Sequence, residues 1–212
     1  MARRSQGDTV EQLLDTYGRT YADEAGIRLR NTPQPLYRLL VLSLLLSARI
    51  SSGIALAAAR ALSDAGMRSP RAMADATWQQ RVDALGEGGY RRYDERTATQ
   101  LGEGAALLLD RYGGDLRRMR GEADGDREAL HRLLQQVPGI GPVGADIFLR
   151  EVQDVWPEAA PYLDGKSRKG ARAIGLPDDP RRLAGLAGDD PALFAAALVR
   201  VSLDRHTELA DA

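Results

Sequence analysis

The chain of 212 residues contains no cysteine. Disulfides, thiolate zinc sites and cysteine-held iron–sulfur clusters are therefore excluded. Aromatic residues make up only 5%, which argues against a stacking-platform fold or a β-sandwich. Neither sign of charge prevails: 29 Lys and Arg stand against 30 Asp and Glu, for a net charge of −1. A nucleic-acid partner would have to be met by a local basic patch, because the overall charge offers it no attraction. The longest apolar run, Leu39 to Ala48, is short for a bilayer and holds Ser43 and Ser47. Met1-Ala2-Arg3-Arg4-Ser5 leads into no apolar stretch, so no signal peptide is expected. These absences lead to the expectation of a soluble, cytoplasmic protein without membrane contact.

What is present favours helices. Apolar residues reach 43%, ample for a core in one large domain or two small ones sharing a cleft. Ala, Leu and Arg dominate, and all three are good helix formers. Val10, Leu13, Leu14, Tyr17 and Tyr21 have helical spacing, predicting a helix over Thr9 to Tyr21 with Asp8 or Thr9 as cap. Leu36 to Leu46 is apolar almost all round, the pattern of a central buried helix. Further helices are expected after the capping stretch Ser51-Ser52-Gly53 through Ala65, from Pro70 to Ala74, over Thr77–Leu85, Asp94–Tyr112, Asp126–Gln136 and Pro142–Val152. After the Pro157–Pro161 loop, more are expected over Lys166–Ala173, Pro180–Ala187 and Pro191–Leu203. No alternating run is long enough for a strand, and the tail from Asp204 is expected to fray.

Val137-Pro138-Gly139-Ile140-Gly141 joins two of these helices. Its glycines permit a tight reversal, and Ile140 anchors the turn in the core. Gly141 and Gly144 leave little side chain over the first turn of the next helix. The free N–H groups and positive dipole end there suit a phosphate, a contact that positions DNA without reading bases. An ordinary helix–turn–helix corner is the alternative.

Three stretches together resemble one family. Leu133-Leu134-Gln135-Gln136-Val137-Pro138-Gly139-Ile140-Gly141-Pro142-Val143-Gly144-Ala145 is similar to the helix-hairpin-helix of the endonuclease III and alkylated-base glycosylase (HhH-GPD) superfamily. Leu44-Leu45-Leu46-Ser47-Ala48-Arg49 resembles the family's "LLSAQ" helix end. Tyr162-Leu163-Asp164-Gly165-Lys166 resembles its "VDGN" or "VDTH" segment, with Gly175-Leu176 where a "GL" pair falls. The resemblance implies an all-α fold of two helical lobes with the hairpin at the cleft between them. One lobe, a six-helix barrel-like unit, would span 31–149; the other would combine 1–30 with 150–212. Double-stranded DNA is the implied partner, the protein is expected to act as a monomer, and no redox cofactor is implied. Backbone carbonyls of such a hairpin can hold a monovalent cation.

The same resemblance implies roles. Asp164 matches the catalytic aspartate of base-excision glycosylases, where a carboxylate stabilises the sugar cation as the base leaves. Read on its own, Asp164 before Gly165-Lys166-Ser167-Arg168 is a helix N-cap before it is a catalytic group. Bifunctional members place a lysine two residues after the second hairpin glycine; here that residue is Val143, which forms no Schiff base. The resemblance therefore points to a monofunctional glycosylase, with a non-catalytic DNA-binding module and a helical protein–protein adaptor as the alternatives. Gly144 and Lys169 also stand where the family usually has Thr or Ser and Arg. Val137, Gly139, Ile140, Gly141, Val143 and Gly144 are the expected phosphate contacts.

Only two lysines occur, Lys166 and Lys169, both within five residues of Asp164. With Arg168 and Arg172 they form either a phosphate-binding patch or a solvated basic turn, and Lys166 is the amine nearest Asp164 in sequence. Arg49, Arg91, Arg92 and Tyr93 occupy the places from which the family draws residues that fill the gap left by an extruded base. Surface arginines and a packing tyrosine are the plainer reading. Tyr162 and Trp156 are candidates for a base pocket. His131 is expected to be exposed and without a partner, His206 likewise lacks one, and no metal-ligand spacing is seen.

Overall fold

The computed structural model describes residues 5–204; His206 and the tail beyond Asp204 lie outside the described residues. Among the described residues the chain is all-helical, as expected, with one 3-10 turn and no strand. Helix α1 spans Gln6–Tyr17. Ser5 Oγ accepts from Asp8 N at 3.1 Å while Asp8 accepts from Ser5 N at 3.2 Å. This reciprocal cap starts the helix ahead of the expected Thr9. Tyr21 is not its end, because Gly18 stops α1 and a separate turn, α2, covers Tyr21–Glu24.

Helix α3 runs over Pro33–Ser47. Pro33 and Pro35 fall in its first turn, where a backbone N–H has no intrahelical partner to lose, so they open the helix instead of preceding it. Helices α4 (Ser52–Asp64), α5 (Pro70–Asp75) and α6 (Trp78–Glu87) are capped by Ser51, Ser69 and Thr77. Helix α7 spans Asp94–Tyr112 and ends on Gly113, whose φ of 60° is left-handed. Helix α8, Leu116–Ala123, was not anticipated; Asp115 caps it. Helices α9 (Arg127–Leu134) and α10 (Pro142–Val152) flank the hairpin. A 3-10 turn at Pro157–Ala159 precedes α11 (Gly165–Ala173). Helix α12 covers only Pro180–Ala184, short of the expected Ala187, and α13 covers Pro191–Leu203.

The chain divides into two compact units. One is continuous, Ala22–Leu149; the other is built from both sides of it, up to Tyr21 and from Arg150. In the continuous unit α3 is the buried centre: Leu36, Tyr37, Leu39, Leu40, Val41, Leu42, Ser43, Leu44 and Leu45 are all buried. It packs on α4 and α8, while α7 packs on α5, α6 and α8. Arg81 ties these helices together, donating to the carbonyls of Met73 at 2.9 Å, Ala76 at 2.7 Å and Ala98 at 2.9 Å.

In the split unit α13 packs on both α11 and α1. Its core gathers Leu13 with Ala171, Ile174, Leu176, Leu183, Phe194, Leu198 and Val201. Gly170 is where α11 meets the α13 backbone: a Cβ there would lie 1.9 Å from the Leu198 carbonyl oxygen. Tyr17 Oη donates to Asp204 at 2.6 Å, tying α1 to the end of α13.

Candidate nucleic-acid interface and acidic site

The hairpin lies in the continuous unit. Val137 and Ile140 are buried, and Ile140 N donates to the Val137 carbonyl at 2.9 Å to close the turn. Gly139 has φ of 88°, a left-handed backbone that strains any side chain, and a Cβ there would also meet Leu44 Cδ1 at 2.6 Å. Gly144 is buried and packs near Ile140 and the Ser43 carbonyl. Gly141 and Pro142 are exposed at the start of α10, where the first helical N–H groups have no partner within the helix. Val143 is 45% exposed there, a large apolar side chain facing solvent. The Pro138, Gly139 and Ile140 carbonyls accept no hydrogen bond among the described residues. Neutral oxygens of this kind suit a hard monovalent cation.

His131 is braced rather than exposed, which corrects the expectation. Its Nε2 lies 3.0 Å from Asp146 Oδ1 on α10, and its Nδ1 lies 3.0 Å from Gln135 Nε2. With Gln135 donating, Nδ1 is the acceptor and Nε2 carries the proton toward Asp146. The network joins the last turn of α9 to the second turn of α10, across the hairpin. The reversal itself makes this pairing, by bringing residues fifteen apart in sequence face to face.

A recess of about 340 Å³ opens in the same unit. Arg49, Tyr93 and Gly139 line it, together with Tyr90, Arg96 and Gln100, which the sequence did not single out. Arg91 and Arg92 do not line it; the Arg92 guanidinium sits 5.3 Å from the Tyr93 ring centroid. Tyr90 is buried and its Oη accepts from Thr97 at 3.2 Å, with burial pushing the phenol's pKa up. Arg49 and Arg96 are exposed, and neither has an ion-pair or hydrogen-bond partner among the described residues.

Asp164 lies in the split unit as the N-cap of α11. Its Oδ1 accepts from both Ser167 N and Ser167 Oγ at 2.9 Å. Its Oδ2 accepts from Arg150 Nη1 in an ion pair. The Arg150 and Asp164 side chains are only 4% and 7% exposed. Arg150 went unnoticed in the sequence; its signal is a charge closing the apolar run Ile147-Phe148-Leu149. Gln153, also buried, holds the segment that delivers Asp164. Its Oε1 accepts from Tyr162 N at 2.5 Å, and its Nε2 donates to the Tyr162 carbonyl at 3.3 Å and the Arg150 carbonyl at 3.0 Å. Tyr162 is thus fixed through its backbone. Trp156 is fully buried, so it lines no open pocket.

Lys166 and Lys169 are exposed one turn apart on α11. Arg168 is turned back onto the Asp178 carbonyl at 3.2 Å, and Arg172 pairs with the Asp178 carboxylate at 3.1 Å. Among the described residues no group of three or more His, Cys, Asp or Glu is placed to hold a metal. Nor is any helix there long and apolar enough to cross a membrane.

No family model and no curated protein matches the chain. A solved structure of endonuclease III trapped as a covalent intermediate with DNA, in an estranged-adenine complex, is similar to it in fold. The TM-score is 0.53 at 15% identity, covering 90% of this chain and 81% of that one. The fold is therefore endonuclease III-like.

Proposed function

We propose that this endonuclease III-like chain binds duplex DNA and hydrolyses the N-glycosidic bond of a flipped damaged or mismatched base, without a lyase step. The observation that carries the reading is Asp164: a carboxylate almost wholly buried, fixed by Ser167 and paired with Arg150. As the bond from C1′ to the base nitrogen breaks, its electron pair leaves with the base and the sugar becomes an oxocarbenium-like cation. A fixed carboxylate stabilises that charge in a way water cannot. Water then bonds to C1′, and the proton it loses balances the one taken up by the departing base.

Binding would rest on the hairpin. The N–H groups at the start of α10 would take a DNA phosphate, Lys166 and Lys169 would add phosphate contacts, and Arg49 and Tyr93 would fill the space of an extruded base. The Pro138, Gly139 and Ile140 carbonyls would hold a monovalent cation, which adds positive potential for a phosphate when bound. A Schiff base needs an amine, and Val143 supplies none.

The test is base release from duplex oligonucleotides carrying alkylated, deaminated, oxidised or mismatched bases, for wild type beside Asp164→Asn. Strand cleavage that appears only after alkali, and disappears in the variant, is the expected result. Cleavage without alkali would overturn the monofunctional reading and direct attention to Lys166. A non-catalytic DNA-binding module is the second reading, favoured by the three donors already seated on Asp164. It predicts salt-sensitive duplex binding with no base released.

A further inference from the structure

Among the described residues, Arg150 is the charged side chain that pairs with Asp164. A carboxylate has about four acceptor positions. Ser167 N and Ser167 Oγ fill both on Oδ1, and Arg150 Nη1 takes one on Oδ2. One acceptor position on Oδ2 remains. From this we infer that Arg150 is a positioning residue: it fixes the Asp164 carboxylate in a dry site and leaves a single lone pair of Oδ2 to meet the sugar cation. The inference rests on the glycosylase reading above.

The physical case has two parts. A buried carboxylate without a partner is so costly that it gives up its charge, and a neutral acid stabilises no cation. A guanidinium beside it removes that cost and is itself rigid and planar, so it fixes direction as well as charge. Arg150 is in turn held in place, because Gln153 bonds both its carbonyl and the Tyr162 backbone. A purely structural ion pair would need none of this directionality.

The test needs no knowledge of the lesion. Two duplex probes differ at one nucleotide: a pyrrolidine abasic analogue, cationic where the sugar cation forms, and a neutral tetrahydrofuran analogue. Their affinity ratio reads the charge and aim of the carboxylate, since a site complementary to the transition state favours its mimic. Wild type is expected to prefer the cationic probe by at least about tenfold. Asp164→Asn and Arg150→Met should each reduce the ratio to near one while changing tetrahydrofuran-duplex affinity less than about twofold. The double variant should lose nothing further, because the two residues act as a unit. Arg150→Lys keeps the charge and loses the planar fork, so it should retain part of the preference, about a third to a half.

Should Arg150→Met not fold, Arg150→Lys decides alone. A folded Arg150 variant with the full wild-type ratio overturns the positioning role and leaves Asp164 standing. A wild type that binds both duplexes equally overturns the glycosylase reading, and this inference with it.

Discussion

Replacing Gly170 with alanine would put a methyl carbon where α13 already has a carbonyl. The added Cβ would lie 1.9 Å from the Leu198 carbonyl oxygen and 2.7 Å from its carbon. Carbon–oxygen contacts settle at roughly 3.3 Å, so the two helices must part by about 1.4 Å at this residue. The obstacle is backbone, which no rotamer change can move aside. Overpacking costs about 1–3 kcal/mol where side chains can adjust, and here the cost should reach about 3–4 kcal/mol. Alanine's better helix propensity returns about 1 kcal/mol, leaving a net loss of about 2–3 kcal/mol. For a chain of this length that lowers Tm by about 4–12 °C. The control is Gly121→Ala in α8, where a Cβ would meet nothing within 4 Å and should stabilise by about 0.5–1 kcal/mol. Urea unfolding followed by circular dichroism measures both. A Gly170→Ala midpoint equal to or above wild type would refute backbone contact between α11 and α13. It would also unsettle the placement of Asp164, which caps α11.

Asp154 gives a pH dependence of defined sign. Desolvation and the neighbouring Asp190 carboxylate push its pKa up to about 6, so the folded chain favours its protonated form. The stability it contributes is present at acid pH and lost as pH rises from the ordinary carboxylate range through about 6. Asp154→Asn is therefore expected to unfold at higher urea than wild type at pH 8, with no gain at pH 4; the reverse order would refute the assignment. Arg81→Met removes three bonds to carbonyls on α5, α7 and the segment before α6, and should cost about 2–4 kcal/mol in thermal unfolding. Arg81→Lys should recover only part of it. Gly139→Ala forces a left-handed backbone on a residue with a side chain, at about 1–2 kcal/mol, and should weaken duplex binding in fluorescence anisotropy. His131→Ala should speed hydrogen exchange at the Gly139 to Gly141 amides while leaving α5 and α6 protected; unchanged exchange would mean the brace across the hairpin is idle.

Residue pattern made some elements legible and contact made others. Helices α7, α10 and α13 begin and end where the sequence predicts, because a glycine pair, a hairpin and Pro191 with Asp204 punctuate them. Helix α8 escaped notice because only Leu116, Met119 and Ala123 are buried in a segment crowded with arginine. Its hydrophobic face exists only against α3, α7 and α9. Asp164 was legible both as a cap and as a candidate carboxylate, and the cap is formed. Its partner Arg150 was not, because a helical arginine in a sequence looks the same whether it meets solvent or a carboxylate fourteen residues away. His131 was misjudged for the same reason, with Asp146 brought to it by the turn. Arg96 and Tyr90 line the recess through the entry of α7, which residue spacing alone does not locate.

The split unit has a consequence for synthesis. Helix α1 leaves the ribosome before its packing partner α13, which lies at the far side of the continuous unit in sequence. At about 5–20 residues per second, roughly ten to forty seconds pass between the two. Throughout that interval Leu13, fully buried in the finished protein, has nothing from α13 to cover it. Residues 22–149 form a continuous unit and need not wait. A circular permutant that joins α13 to α1 and opens the chain near Tyr21 would make these partners neighbours from the outset.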